Sequence, residues 1–136
     1  MAVMKVEIVT PESVVVDGRA QTFVAPGAHG EFGVLPGHTP FLTSLKTGAI
    51  RYINADNIER QVFIKEGFIE VLPGKITVLA EVAERRMNIS LKRAEAAYQR
   101  ALERLKHIED KNIDHDRAHA ALMRAAVRIH MVHTKM

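Results

Sequence analysis

Every glycine and every proline of this 136-residue chain lies at or before Gly74, and the 62 residues that follow contain neither. Gly and Pro mark turns and are disfavoured inside helices. The last 62 residues are therefore free to be helical, while the residues before them are cut into short pieces. Charge divides at nearly the same place. Residues 1–84 carry 7 Lys/Arg against 10 Asp/Glu, whereas residues 85–136 carry 12 against 6. The overall +3 sums an acidic half and a basic one. Two domains are predicted, 1–85 and 86–136.

The first half reads as short alternating runs. Met4, Val6 and Ile8 alternate with Lys5 and Glu7 before Pro11, and Val14–Val16 stops at Asp17-Gly18. Further runs are Phe23–Ala25, Ala49–Ile53, Gln61–Lys65, Phe68–Leu72 and Lys75–Val82. Asn54–Asn57, Glu66-Gly67 and Pro73-Gly74 separate the later ones. Short β-branched and aromatic runs between turn signals predict a β sandwich of about ten short antiparallel strands. Pro73-Gly74 predicts a type II turn, with Gly74 at positive φ. Six of the seven Phe/Tyr residues lie here, so this half is expected to hold the core.

The second half changes period. Leu91, Ala94, Tyr98, Ala101, Leu105 and Ile108 form one apolar seam at alternating spacings of three and four. The pattern breaks over Asp110–Asp114 and resumes as Ala118, Leu122, Ala125, Ile129 and Val132. Asn88 or Ser90 would cap the first helix, and Asn112 or Asp114 the second. A short polar link between two such helices predicts an antiparallel two-helix hairpin. Its seam is rich in Ala, so it buries little apolar area per turn. Such a hairpin is marginal alone and suited to docking and undocking.

Chemistry is sparse. With no Cys, disulfides, thiolate metal sites and thiol catalysis are excluded. Ser13, Ser44 and Ser90 lack a nucleophile-elbow context, so no catalytic residue is assigned. His115 and His119 stand four apart, but no third ligand accompanies them, and no metal is predicted. No apolar run is long enough to span a membrane, and no signal pattern precedes the first strand, so a cytoplasmic protein is expected. The segment from Pro26 to Pro40 is the richest in Gly and Pro. It has no phosphate-loop Lys, and reads either as a structural loop or as a protruding contact loop.

Arg93 and Arg100 share one face of the first helix, while Arg117, Arg124 and Arg128 share one face of the second. On an antiparallel hairpin these stripes would either converge to hold a polyphosphate or form a solvated face. The basic hairpin also suits an acidic protein partner. Nucleic acid is not expected, because no aromatics interleave with the basic residues.

With these residues in view, the chain resembles the epsilon-subunit family of F-type ATP synthases along nearly its whole length. The most specific match is Gly30-Glu31-Phe32-Gly33-Val34-Leu35-Pro36-Gly37-His38, supported by Gly67–Val71 and Thr77–Arg85. Glu66 departs from the family's usual Gly at that position. The resemblance implies a non-catalytic central-stalk subunit that couples proton translocation to ATP synthesis. Its sandwich would dock on the gamma subunit and the c-ring, with Glu31 and His38 as contact candidates. Its hairpin would inhibit hydrolysis when extended toward the beta and alpha subunits. The complex would hold it on the cytoplasmic side of the bacterial inner membrane, as a peripheral protein.

Some bacterial members bind ATP on the folded hairpin through an Ile/Leu-Asp-x-x-Arg-Ala motif. Here that segment is Ile89-Ser90-Leu91-Lys92-Arg93-Ala94, with Ser90 replacing the Asp. The resemblance adds Glu84, Arg100, Arg124 and Arg128 as further candidate ligands. No cofactor is required, and ATP is expected as a regulatory ligand. Ile113-Asp114-His115-Asp116-Arg117-Ala118 is a second match, read mainly as a capping element. The competing reading is a free-standing nucleotide-sensing or RNA-binding module.

Overall fold

A computed structural model describes residues 2–107 and 109–134. Ile108, assigned above to the first helical seam, lies outside them. The chain divides after Arg86 into two compact units.

The first unit contains seven strands: β1 (Met4–Val9), β2 (Val14–Gly27), β3 (Gly30–Val34), β4 (Phe41–Leu45), β5 (Gly48–Asn54), β6 (Glu59–Leu72) and β7 (Lys75–Arg85). The sandwich expectation holds, with seven strands in place of about ten. Two pairs of predicted runs are each one 14-residue strand, because β2 passes through Asp17-Gly18 and β6 through Glu66-Gly67 without a turn. Conversely, β3 lies inside the segment read as a loop, joined to β2 by the two residues Ala28 and His29. Not every pairing is antiparallel: β1 runs parallel to β7 while pairing antiparallel with β2. Together with β5 and β6, these three close a ring of paired strands. Ring closure leaves β1 and β7 with partners on both sides. Its interior is filled by Met4, Val6, Ile8, Phe23, Ile50, Ile64, Ile69, Val71, Ile76 and Val78, all fully buried.

The Glu66-Gly67 pair controls β6. Glu66 sits at φ 44°, a left-handed conformation that costs a side-chain-bearing residue about 1 kcal/mol. A Cβ on Gly67 would collide with the Leu79 carbonyl oxygen and lie 3.0 Å from the Ala80 Cα, so β7 tolerates only glycine there. The kink reverses the strand's faces. Val62 and Ile64 point inward before it, and Ile69 and Val71 point inward after it. Phe68 is therefore 58% exposed.

The two Pro-Gly pairs adopt different turns. At Pro36-Gly37, Gly37 takes φ 82° and the His38 N–H donates to the Leu35 carbonyl at 3.1 Å, which is a type II turn. At Pro73-Gly74, Gly74 does not take positive φ, so the predicted type II turn is absent. The two types differ by a flip of the central peptide. Here the central carbonyl, Pro73 C=O, is held in place by the Gly37 N–H at 2.8 Å.

In the second unit, α1 (Leu91–Lys106) and α2 (His115–His133) pack on each other. The polar link between them makes them a hairpin. Ala94, Ala101, Ala118, Ala125 and Met131 are buried, while Leu91, Tyr98, Leu105, Leu122 and Ile129 are only half-buried. Close approach across alanines leaves the larger side chains at the margins of the seam.

Replacing Glu66 by Gly relieves the left-handed strain, which the greater freedom of glycine in the unfolded chain partly offsets. Glu66→Gly is expected to stabilise the sandwich by roughly 0.5 kcal/mol, while Gly67→Ala destabilises it by about 2 kcal/mol or more. Denaturant unfolding of the two variants measures both. Equal effects from them would refute the kink.

Candidate functional site

Glu31 lies on β3, not on a loop. Its Oε1 accepts from Arg51 Nη2 at 2.7 Å. Arg51 comes from β5, on the far side of β2, and reaches across β2 to Glu31. His38 follows the Pro36-Gly37 turn. Its Nδ1–H donates to the Thr39 carbonyl at 2.8 Å, and its ring meets Phe41 edge-on, with centroids 5.2 Å apart. Phe41 in turn meets Phe32 edge-on at 5.4 Å. The carbonyl fixes the tautomer, so Nε2 is the ring nitrogen offered outward. Glu31 is thus held by an ion pair, and His38 by the Phe41 ring and the Thr39 carbonyl.

The larger surface feature had no signal in the periodicity. Val9, Leu79, Phe68 and Ser44 form one row across β1, β7, β6 and β4. Phe68 and Leu79 are 58% and 56% exposed, and Leu42, in the next row, is 69% exposed. Val9, Phe68 and Leu79 line a shallow depression of about 540 Å³ with Pro11 and Gly67, and Glu66 and Glu81 are among its lining. Lys65 Nζ pairs with Glu81 at 3.1 Å. Contiguous exposed apolar side chains on a rigid sheet mark an interaction surface. The kink at Glu66 hid this face, because it moves Phe68 out of phase with Val62 and Ile64.

The remaining candidates are divided between the two units. Glu84 belongs to the first, near the end of β7, and pairs with Phe63 on β6. In the second, Ser90 caps α1, its hydroxyl accepting from the Arg93 N–H at 3.3 Å. Asp114 caps α2 in the same way, accepting from the Arg117 N–H at 3.0 Å. The second motif match is thus a cap. Ile89 is half-buried just before α1, and Ala94 is buried in the seam. Arg93 and Arg100 are exposed on α1, and Arg124 and Arg128 are half-buried on α2. On α2, Arg124 lies at the midpoint and Arg128 about one turn nearer the C-terminal end, while Arg93 lies in the first turn of α1. Arg100 lies two turns nearer the link, roughly 10 Å along the axis.

Among the described residues, Tyr52 has a shifted pKa. Burial raises its pKa, and the positive charges of Arg85 and Arg60 partly counter the rise. Its ring stacks on Phe23 at 6.1 Å, so it serves the core and not the exposed edge.

Comparison with known proteins agrees with this division. Residues 3–86 match the β-sandwich domain of the ATP synthase delta/epsilon chain, and residues 87–132 match its long α-helix domain. An ATP synthase epsilon chain of Desulforapulum autotrophicum is 52% identical over 129 residues, covering 95% of each chain. One of Nitratidesulfovibrio vulgaris is 47% identical over 126 residues, covering 93% of this chain and 92% of that one. Among solved structures, a chain of the Euglena gracilis mitochondrial ATP synthase OSCP/F1/c-ring assembly superposes with a TM-score of 0.85. The match has 18% identity and covers 98% of this chain and 83% of that one. A chain of the Tetrahymena thermophila ATP synthase central stalk and c-ring gives 0.59 at 13% identity, with 95% and 96% covered. At such identities the two structures speak to the fold.

Proposed function

The chain belongs to the ATP synthase delta/epsilon chain family, and from that premise we propose that it is a non-catalytic subunit of the rotary central stalk. In this reading the sandwich is the fixed part. Its apolar face over β1, β7 and β6 receives the gamma subunit, and the edge carrying Glu31 and His38 meets both gamma and the c-ring. The supporting observation is the row in which half-buried Val9 adjoins exposed Leu79 and Phe68, on strands of the closed ring. Burying one such side chain contributes about 1.5–3 kcal/mol, so the face is costly to leave bare. Held this way, the subunit sits at the membrane surface on the cytoplasmic side without entering the bilayer. No helix among the described residues is long and apolar enough to cross one.

The hairpin is the regulatory part. Detached, it extends toward the beta and alpha subunits and inhibits hydrolysis; folded, it does not. Its excess of 12 Lys/Arg over 6 Asp/Glu in residues 85–136 favours an acidic partner, with an attraction that salt weakens. ATP stabilises the folded form, with Arg93 of α1 and Arg124 and Arg128 of α2 as phosphate ligands. Ile89, Ser90 and Ala94 are neighbours of Arg93 in sequence, and Arg100 follows two turns later on the same helix. Ser90 supplies the cap as an Asp would, so the substitution keeps the helix start and removes one negative acceptor. A ligand at 100 times its dissociation constant would favour the folded form by about 2.7 kcal/mol, enough to decide a near-balanced equilibrium.

Two measurements test this. Phe68→Glu places a charge in the apolar face and is expected to weaken binding of the chain to gamma at least tenfold without lowering its melting temperature. Unchanged binding would remove the face from the interface. Calorimetry with millimolar ATP should give a saturable heat, larger in affinity for Ser90→Asp. No heat from either protein would end the nucleotide reading.

A further inference from the structure

The hairpin between β2 and β3 leaves β3 with one free edge, because β3 pairs with β2 alone. Which main-chain groups that edge presents follows from β4, on the other flank of β2. There the Lys46 N–H donates to the Pro26 carbonyl at 3.0 Å, and the Ala28 N–H donates to the Ser44 carbonyl at 3.1 Å. The Pro26 carbonyl therefore points away from β3, and proline has no N–H to offer. Opposite it, Glu31 is a non-hydrogen-bonded partner, whose own N–H and C=O must point outward. Alternation gives Gly33 the same orientation, while Gly30, Phe32 and Val34 bond to β2. Among the described residues nothing pairs with these outward groups of Glu31 and Gly33, and both residues are exposed.

Edge strands are normally blunted by lysine, proline or a bulge. The sequence Gly30-Glu31-Phe32-Gly33-Val34 has none of these. We propose that the free edge of β3 is a strand-addition site, where an extended segment of the gamma subunit pairs with the main chain of Glu31 and Gly33 and sets a Lys or Arg beside Glu31.

This rests on the stalk reading above and names the mode of contact. The charge follows from the sheet. Arg51 already holds one carboxylate oxygen of Glu31, and a cation across the new ladder would meet the other, whereas an acid would be repelled. Four main-chain groups are too few to hold an independent complex. The edge therefore suits a partner anchored elsewhere on the same unit, and the apolar face over Phe68 and Leu79 provides that anchor. A second copy of the chain, paired about Phe32, would set Gly33 opposite Glu31 and leave the carboxylate unanswered.

Amide exchange on the full chain tests the pairing without a variant. Free in solution, the Glu31 and Gly33 amides should exchange rapidly and those of Phe32 and Val34 slowly. Bound to gamma, Glu31 and Gly33 should slow at least tenfold. Fast exchange in the bound state overturns the proposal, and slowing at high concentration of the chain alone assigns the edge to a second copy instead. Substitution supplies the second arm. A Cβ at Gly33 has nothing nearer than the Phe23 carbonyl at 3.9 Å. Gly33→Pro thus removes an outward N–H and leaves the bonds to β2 intact. It should melt like the parent and bind gamma at least tenfold more weakly, while Gly33→Ala binds like the parent. Equal binding by the two variants refutes strand addition and leaves the stalk reading standing. Failure of the parent chain to bind gamma refutes both.

Discussion

The close approach of β6 to β7 at Gly67 is the contact on which the first unit depends. The Leu79 carbonyl and the Ala80 Cα occupy the space a side chain would need, and Glu66 accepts a left-handed backbone so that the strand can pass. Two consequences follow from that one kink. One 14-residue strand serves both β5, through its first half, and β4, through its second. The same strand exchanges its inner and outer faces midway. Phe68 then stands outside beside Leu79, and a sheet that would otherwise be polar on its outer surface carries an apolar row.

Different physics holds the second unit. Its helices meet through alanines, whose small side chains permit a close approach but remove little apolar area from water. Capping by Ser90 and Asp114 supports each helix start with one side-chain bond, a contribution of about 1 kcal/mol apiece. A rigid ring of strands and a lightly packed helical pair are suited to opposite tasks, holding a position and leaving one.

Most of this division was legible in the residues. Absence of Gly and Pro after Gly74 located the helical half, and the alternating spacings of three and four located its seam and both caps. The Gly30–His38 motif pointed to the edge that carries Glu31. What periodicity could not supply was long-range. A positive φ at a side-chain-bearing residue leaves no mark in periodicity, so Glu66-Gly67 reads as a break and β6 as two strands. The Pro73-Gly74 turn was misread for a similar reason, since its central peptide is oriented by Gly37, thirty-six residues away. Glu31 was found as a candidate, but its clamp, Arg51, lies two strands across, and its free main chain depends on a bond between Lys46 and Pro26. Where the outcome depended on neighbours in sequence the reading succeeded, and where it depended on neighbours in space it did not.

A fixed sandwich and a detachable, inhibitory hairpin make one joint claim. Truncating the chain after Arg85 and assembling it into the ATP synthase tests both parts together. The account predicts that the truncated subunit still assembles and that ATP hydrolysis rises above that of the complete enzyme. Hydrolysis that does not rise in a fully assembled complex would contradict it.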